Sequence, residues 1–173
     1  MALIIENGTV VANANSYDTL ANAQAFLDLV GLNVADNGDP LPIDEPSMIR
    51  AYYYVNSFEN QYQGQRVSID QTGSFPRSGV VINGFPLPQT TIPPQLIQAQ
   101  AYAAYYEVVN PGITQPNGNG ATITHEEISG AVAVDYADNG ISSDTFNMAS
   151  VTALLSQLFG TSGGAFSIQT VRI

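Results

Sequence analysis

The stretch PPQLIQAQAYAAYYEVVN, residues 93–110, decides the fold because it is the longest stretch with a clear helical pattern. Its two opening prolines suit a first helical turn, where a missing N–H loses no partner. Apolar side chains recur at spacings of three and four residues, and Ala99 and Ala103 keep the flanks small, so neighbours can approach from two sides. We therefore predict a central helix of a helical packing unit, ended by Asn-Pro-Gly at 110–112.

Charge is scarce and one-sided in this 173-residue chain, which is long enough for one domain with a real core. It has no lysine, four arginines and fifteen acidic residues, for a formal net charge of -11. Gripping nucleic acid requires cations that displace phosphate counterions, so this composition argues against tight DNA binding. It remains compatible with a surface past which DNA slides.

Only 11% of the residues are charged, so the surface has few charges to keep it solvated. Large self-association interfaces would hide such a surface, although Asn, Gln, Ser and Thr can also solvate it. The chain has no cysteine, no signal-peptide pattern at its start and no apolar run approaching the ~18 residues of a membrane span. We expect a soluble protein, intracellular where it is made, with no membrane partner.

Three further helices are predicted from caps and apolar spacing. The first is capped at Asn15 or Ser16 and ends at Gly31; the second begins after Asp44 and ends at Gly64; the fourth covers about 147–159. Two strands are expected within 121–136, and a small hairpin or arm within 2–11. The prediction is a mainly α fold: a bundle of about four helices with a β-hairpin extension around 121–140 and an extended C-terminal arm.

The long connection 65–91 is rich in turn residues, and loops of this length are usually functional or held by partners. Arg77 either anchors it by pairing with a carboxylate or points at a neighbouring subunit. The tyrosines Tyr52, Tyr53 and Tyr54 surround more than one helix face, which favours core and interface packing. These four residues are our candidates for inter-subunit contacts.

Residues that could carry catalysis are sparse. His125 is the only histidine and stands beside Glu126 and Glu127, where a solvated histidine is expected and a divalent-cation site is the alternative. Paired acids could support glycoside hydrolysis, but most acids here suit caps and turns. We predict no catalytic residues, no metal, no cofactor and no enzymatic activity.

A glycine-containing hinge at 161–164 separates a helical domain, 1–164, from the arm AFSIQTVRI at 165–173. Such an arm can add a strand to another protein's sheet, or it can pair with this chain's own strand at 131–136. Both alternatives stay open from the residues alone.

Read in order, several segments resemble the head-to-tail adaptor, or connector, proteins of tailed bacteriophages, in the group labelled DnaT-like. The segments are ALIIENGTVVANANSY at 2–17, FPRSGV at 75–80, IPPQLIQAQ at 92–100, ISGAVAVDYAD at 128–138, ALLSQLFG at 153–160 and the closing VRI. The resemblance covers nearly the whole chain.

This resemblance implies a ring of twelve copies beneath the portal, which extends the DNA channel and meets the next neck or tail protein. The genome would pass through without specific binding, and the protein would lie in the virion neck after assembly in the host cytoplasm. The C-terminal segment would dock on the portal, with the candidates Phe166, Ile168, Val171, Arg172 and Ile173. The alternative function is a replication accessory of the primosome type, binding DNA or a helicase.

Overall fold

The fold is described from a computed structural model over residues 2–32, 41–114, 125–128, 132–135 and 148–160, with the backbone alone for 125–128 and 132–135. The helices are α1 (Leu20–Leu29), α2 (Glu45–Asn56), α3 (Pro94–Val109) and α4 (Ala149–Ser156), with a 3₁₀ turn at Glu59–Gln61. The strands are β1 (Gln65–Arg66), β2 (Arg77–Ser78), β3 (Val81–Ile82), β4 (Phe85–Pro86), β5 (His125–Ile128) and β6 (Val132–Asp135).

The central position predicted for α3 is confirmed, since it contacts each of the other three helices. Pro93 precedes its first residue and Asn110 follows its last, as the prolines and the Asn-Pro-Gly stop indicated. Its small alanines are fully buried, which lets the neighbouring backbones approach closely.

Buried Gln100 ties α3 to the rest of the bundle by three hydrogen bonds. Its side-chain oxygen accepts from the Tyr17 N–H at 2.8 Å, and its nitrogen donates to Ser16 Oγ and to the Met48 carbonyl, each at 2.9 Å. A buried amide with three partners fixes how the N-terminal segment, α2 and α3 meet.

The start predicted for α2 is confirmed, whereas its predicted end at Gly64 is wrong. Asp44 and Ser47 form a reciprocal capping box, and Pro46 lies in the first turn. The helix stops at Asn56, and the chain then turns. Tyr62 lies beyond the helix but packs into the same core. Its spacing from the buried residues of α2 therefore matched a longer helix that does not form.

The cap predicted for α1 at Asn15 or Ser16 is also wrong, because Thr19 accepts from the Asn22 N–H. Asn15 instead accepts from the Ile4 N–H at 2.7 Å and so holds the N-terminal segment. Gly31 follows the helix with φ of 77°, as the predicted stop requires.

Of the hairpin or arm predicted within 2–11, the hairpin is not formed by the described residues. The bridge that this segment makes is parallel, between Ile5 and Ser16. Buried Glu6 organises the turn by accepting from the backbone N–H groups of Gly8 at 2.8 Å, Val10 at 3.1 Å and Val11 at 2.8 Å. This carboxylate accepts from three backbone N–H groups that a hairpin would have satisfied through cross-strand hydrogen bonds.

The strands form three antiparallel pairs, β1 with β2, β3 with β4 and β5 with β6. The β5–β6 pair confirms the hairpin predicted around 121–140, with His125 opposite Asp135 and Ile128 opposite Val132. In the β3–β4 hairpin, Asn83 and Gly84 have φ of 51° and 84°, as a two-residue type I′ turn requires.

The mainly α bundle of four helices with a β-hairpin is thereby confirmed. Buried Val151 and Leu155 form the inner face of α4, which is shorter than the predicted 147–159, and buried Leu158 follows just beyond its end. Leu158–Gly160 then lies antiparallel to residues 61–63, through the Tyr62–Phe159 bridge. The arm at 165–173 lies outside the described residues, and the division at 164 stays a prediction.

Candidate interaction surface

The connection between α2 and α3, residues 57–93, is held rigidly against the bundle. Its segment 73–77 is buried throughout, and the Phe75 ring lies 5.2 Å, centroid to centroid, from the core Tyr62 ring. Glycine at position 73 lets the connection pack closely, because a Cβ there would stand 2.4 Å from Tyr52 Oη and 2.5 Å from Tyr17 Oη and would have to displace these hydroxyls. A loop with a buried base can present its remaining residues in one fixed conformation.

Arg77 anchors this connection from inside. Its guanidinium donates to the backbone carbonyls of Gln63 at 2.7 Å, Gly64 at 2.8 Å and Ser74 at 3.3 Å. Glu59 lies 3.6 Å away, so the carboxylate-pairing alternative for Arg77 is the one observed. Burial lowers the pKa of Arg77, which the charge of Glu59 partly offsets.

Glu59 also binds Arg66, which donates to it through two nitrogens at the outer face of the connection. Hydrogen bonding from Arg66 holds the pKa of the Glu59 carboxyl below its ordinary value. One carboxylate thus engages two of the protein's four arginines.

Gln71 fixes the first outward turn of the connection. Its side-chain oxygen accepts from the N–H groups of Val67 at 3.0 Å and Ser68 at 3.1 Å, while its nitrogen donates to the carbonyls of Gly73 and Pro76. This buried amide therefore uses both of its ends to set the shape of the turn.

Apolar side chains face solvent at the two outward tips of the connection. Ile69 is 91% exposed near exposed Val67, and on the β3–β4 hairpin Phe85 is 77% exposed and Val81 44%. Held apolar side chains bind partners at a lower entropic cost than mobile ones, so these tips form the candidate interaction surface.

The tyrosine candidates for inter-subunit contact separate into two kinds. Tyr52 is fully buried within the chain, with its ring 4.8 Å from Tyr17, and Tyr54 is half-buried against Phe58. Tyr53 is 60% exposed. Burial also raises the pKa of Tyr52, whose hydroxyl has no hydrogen-bond partner among the described residues. Tyr53 alone of the three presents most of its side chain to a second molecule.

All three arginines in the described part of the chain contact a carboxylate. Besides Arg66 and Arg77 at Glu59, Arg50 binds the buried Glu107 at 3.0 Å. Glu107 also accepts from Gly112 N and from Thr114 N and Oγ1. Burial pushes the pKa of Glu107 upward, but these hydrogen bonds outweigh it and lower the pKa.

The remaining sequence candidates concern chemistry and the arm. No cluster of His, Cys, Asp or Glu that could hold a metal occurs among the residues that the structure describes. The portal-docking candidates Phe166, Ile168, Val171, Arg172 and Ile173 lie outside those residues. Within the same limits, none of the helices has the length and apolar character needed to cross a bilayer.

These features define a small, acidic four-helix protein that exposes apolar side chains at the tips of a well-anchored connection. The sequence model of the family described as "Putative DnaT-like ssDNA binding protein" matches residues 1–173. The chain therefore belongs to this DnaT-like family. No curated protein and no solved structure matches it significantly.

Sequence reasoning missed both tips of the candidate surface. The Asn83-Gly84 dipeptide between apolar residues is a strong short-range hairpin signal and could have located the second tip. The first tip depends on Gln71, whose partners become neighbours only after folding, so no local pattern indicates it.

Proposed function

We propose that this chain is a non-catalytic structural subunit, a head-to-tail adaptor of a tailed bacteriophage that assembles into a ring. Its partners would be further copies of itself in a dodecameric ring, the portal protein and the next neck or tail protein. Genomic DNA would pass through the ring without specific binding. The protein would act in the virion neck, after assembly in the host cytoplasm.

The distribution of charge carries this proposal. Arg50, Arg66 and Arg77 each contact a carboxylate within the chain, and the sequence adds one further cation, Arg172. A phosphate chain approaching these residues would have to displace an existing carboxylate partner. Exposed apolar side chains on a held connection instead favour protein partners.

The second candidate is a replication accessory that binds single-stranded DNA or a helicase. The description of the family to which the chain belongs favours it. Single-strand binding normally combines a cationic groove with exposed aromatic rings on which bases stack. Tyr53 and Phe85 could supply such rings, while the cationic part would have to come from elsewhere.

Titration of a fluorescent single-stranded oligonucleotide at low salt, followed by anisotropy, separates the two candidates. We expect no saturable binding by the wild type and none by the Arg50→Gln variant. Tight binding that weakens steeply with salt, and that Arg50→Gln reduces, would establish the DNA-binding candidate instead.

Assembly is measured separately by sedimentation velocity and electron microscopy of the protein mixed with its portal. We expect ring-shaped particles in the mixture. Tyr53→Ser should reduce them, whereas Ser57→Ala, an exposed change one helical turn further on, should leave them intact. Monomers that never associate with the portal would refute the adaptor proposal.

A further inference from the structure

We propose that Asn83 is a site of spontaneous deamidation, in which its side-chain amide becomes a carboxylate through a cyclic imide formed with Gly84. The products are aspartate and isoaspartate, and both place a new negative charge in the turn that leads to the exposed Phe85. This inference goes beyond the proposed function and does not depend on it, because it concerns a reaction of the chain with water.

The reaction is an internal substitution at the Asn83 amide. The Gly84 main-chain nitrogen attacks the side-chain carbonyl carbon, so that a bond from this nitrogen to Cγ forms and the bond from Cγ to Nδ2 breaks. Nδ2 leaves as ammonia, which takes up the proton that the Gly84 nitrogen loses. Water then opens the imide, either at Cγ to give aspartate or at the main-chain carbonyl to give isoaspartate. The sequence of steps consumes only water.

Both reacting groups are accessible at the tip of the β3–β4 hairpin. Asn83 and Gly84 are exposed, and a Cβ placed on Gly84 would meet no atom within 4 Å. The hydrogen bond that closes a two-residue turn is donated by the residue after it, here Phe85, so the turn does not use the Gly84 N–H. In the described part of the chain, no hydrogen bond holds the Asn83 side chain either. The nitrogen and the carbonyl carbon can therefore approach each other.

The geometry of the turn selects this reactive pair. Asn83 and Gly84 have φ of 51° and 84°, and a turn with two consecutive positive φ values favours Asn followed by Gly. Glycine has no Cβ to hinder attack by its own nitrogen. The residues that suit the hairpin are thus the residues that form the imide most readily.

A second Asn-Gly pair, Asn7-Gly8, is held in the folded chain. Gly8 is buried and donates its N–H to Glu6 Oε1 at 2.8 Å, while Asn7 Oδ1 accepts from Thr9 N at 3.2 Å and from Thr9 Oγ1 at 2.7 Å. A Cβ on Gly8 would stand 1.9 Å from the Thr90 carbonyl oxygen, so there is little space around this nitrogen. This pair should react only after local opening of the chain.

Peptide mapping of the folded, full-length protein tests the proposal. Samples kept at mildly alkaline pH are digested with pepsin in acid and analysed by mass spectrometry, with electron-transfer fragmentation to distinguish isoaspartate from aspartate. We expect deamidation at Asn83 to be roughly tenfold faster than at Asn7 or more, because the hydrogen bonds around Asn7 must first break. Equal rates at the two positions, or no product at Asn83, would overturn the proposal.

The same protein in guanidinium chloride is the matched control. Asn7 and Asn83 are both followed by glycine, so once the fold is lost they should deamidate at similar rates. If Asn83 reacts faster by the same factor in denaturant as in buffer, the flanking residues and not the hairpin set its reactivity, and the structural argument fails.

The isoaspartate product should also alter the hairpin. Its main chain contains an additional methylene, so a two-residue turn can no longer keep Ile82 opposite Phe85. The Leu87 N–H donates to the Val80 carbonyl at 2.9 Å, and its exchange with deuterium should be faster in the isoaspartate form than in Asn83→Asp. That variant adds the same charge without lengthening the main chain. Equal exchange in the two forms would contradict this effect on the hairpin.

Discussion

Replacing Arg77 by Met removes the donor that the buried base of the connection depends on. Its bonds to the Gln63 and Gly64 carbonyls are short, at 2.7 and 2.8 Å, and the Ser74 carbonyl behind them is fully buried. Hydrogen bonds to a charged group contribute ~1.5–3 kcal/mol each, and water can replace part of the loss at the exposed Gly64. We therefore expect the free energy of unfolding to fall by about 3 kcal/mol, or roughly 6–12 °C in Tm.

Arg66→Met is the matched control, because Arg66 binds the same carboxylate of Glu59 from the outer face. Both side chains of that pair are about one-third exposed, and exposed ion pairs contribute only ~0.2–1 kcal/mol. Urea unfolding of both variants, followed by circular dichroism at a concentration where the protein is monomeric, gives the comparison. If Arg77→Met lowers the free energy of unfolding no more than Arg66→Met does, Arg77 does not anchor the connection. If the Arg77→Met monomer is normally stable but assembles poorly, Arg77 acts instead at the subunit interface.

Three further predictions concern the bundle itself. Gln100→Leu should lower the free energy of unfolding by about 2–4 kcal/mol because it leaves buried hydrogen-bond partners unsatisfied. Gln95→Leu on the same helix removes an oxygen with no partner among the described residues and one exposed hydrogen bond of 3.5 Å to Gln157, so it should cost about 1 kcal/mol or less in urea unfolding. The pKa of Glu107 is lowered by folding, so its stabilising effect is present above its unfolded-state pKa and is lost as the pH falls through its folded-state pKa. The difference in free energy of unfolding between wild type and Glu107→Gln should therefore shrink in acid. A difference that does not change with pH would contradict this. Gly8→Ala should cost more than Gly84→Ala in thermal unfolding, because both have positive φ but only the Cβ at position 8 meets a backbone carbonyl, at 1.9 Å; equal costs would show that this contact relaxes.

The parts of the fold that the sequence predicts are those determined by neighbours along the chain. The prolines opening α3 and the Asp44 cap of α2 act within a single turn, so the residues themselves contain the signal. The strands β5 and β6 are likewise neighbours along the chain, so their pairing needs only local sequence. Each of these predictions needed no knowledge of tertiary structure.

The errors arose where a side chain acts over distance. Glu6 replaces the expected ladder at the N-terminus with hydrogen bonds from a carboxylate, which no strand pattern reveals. Tyr62 keeps the helical spacing of α2 although the helix has already ended, because it returns to the same core by another route. Periodicity reports which residues are buried, and it does not show whether one continuous element buries them.

The same distinction bears on the interaction surface and on function. The sequence could count four arginines but could not show that three of them are neutralised by Glu59 and Glu107. That pairing makes the surface less cationic than the arginine count suggests, because the arginines instead hold loops in place. Arg66 and Arg77 hold the part of the connection that exposes Ile69, so charge there serves to position an apolar side chain. Neutralised arginines and exposed apolar side chains are what a protein-binding surface requires, and they are the physical basis of the adaptor role proposed above.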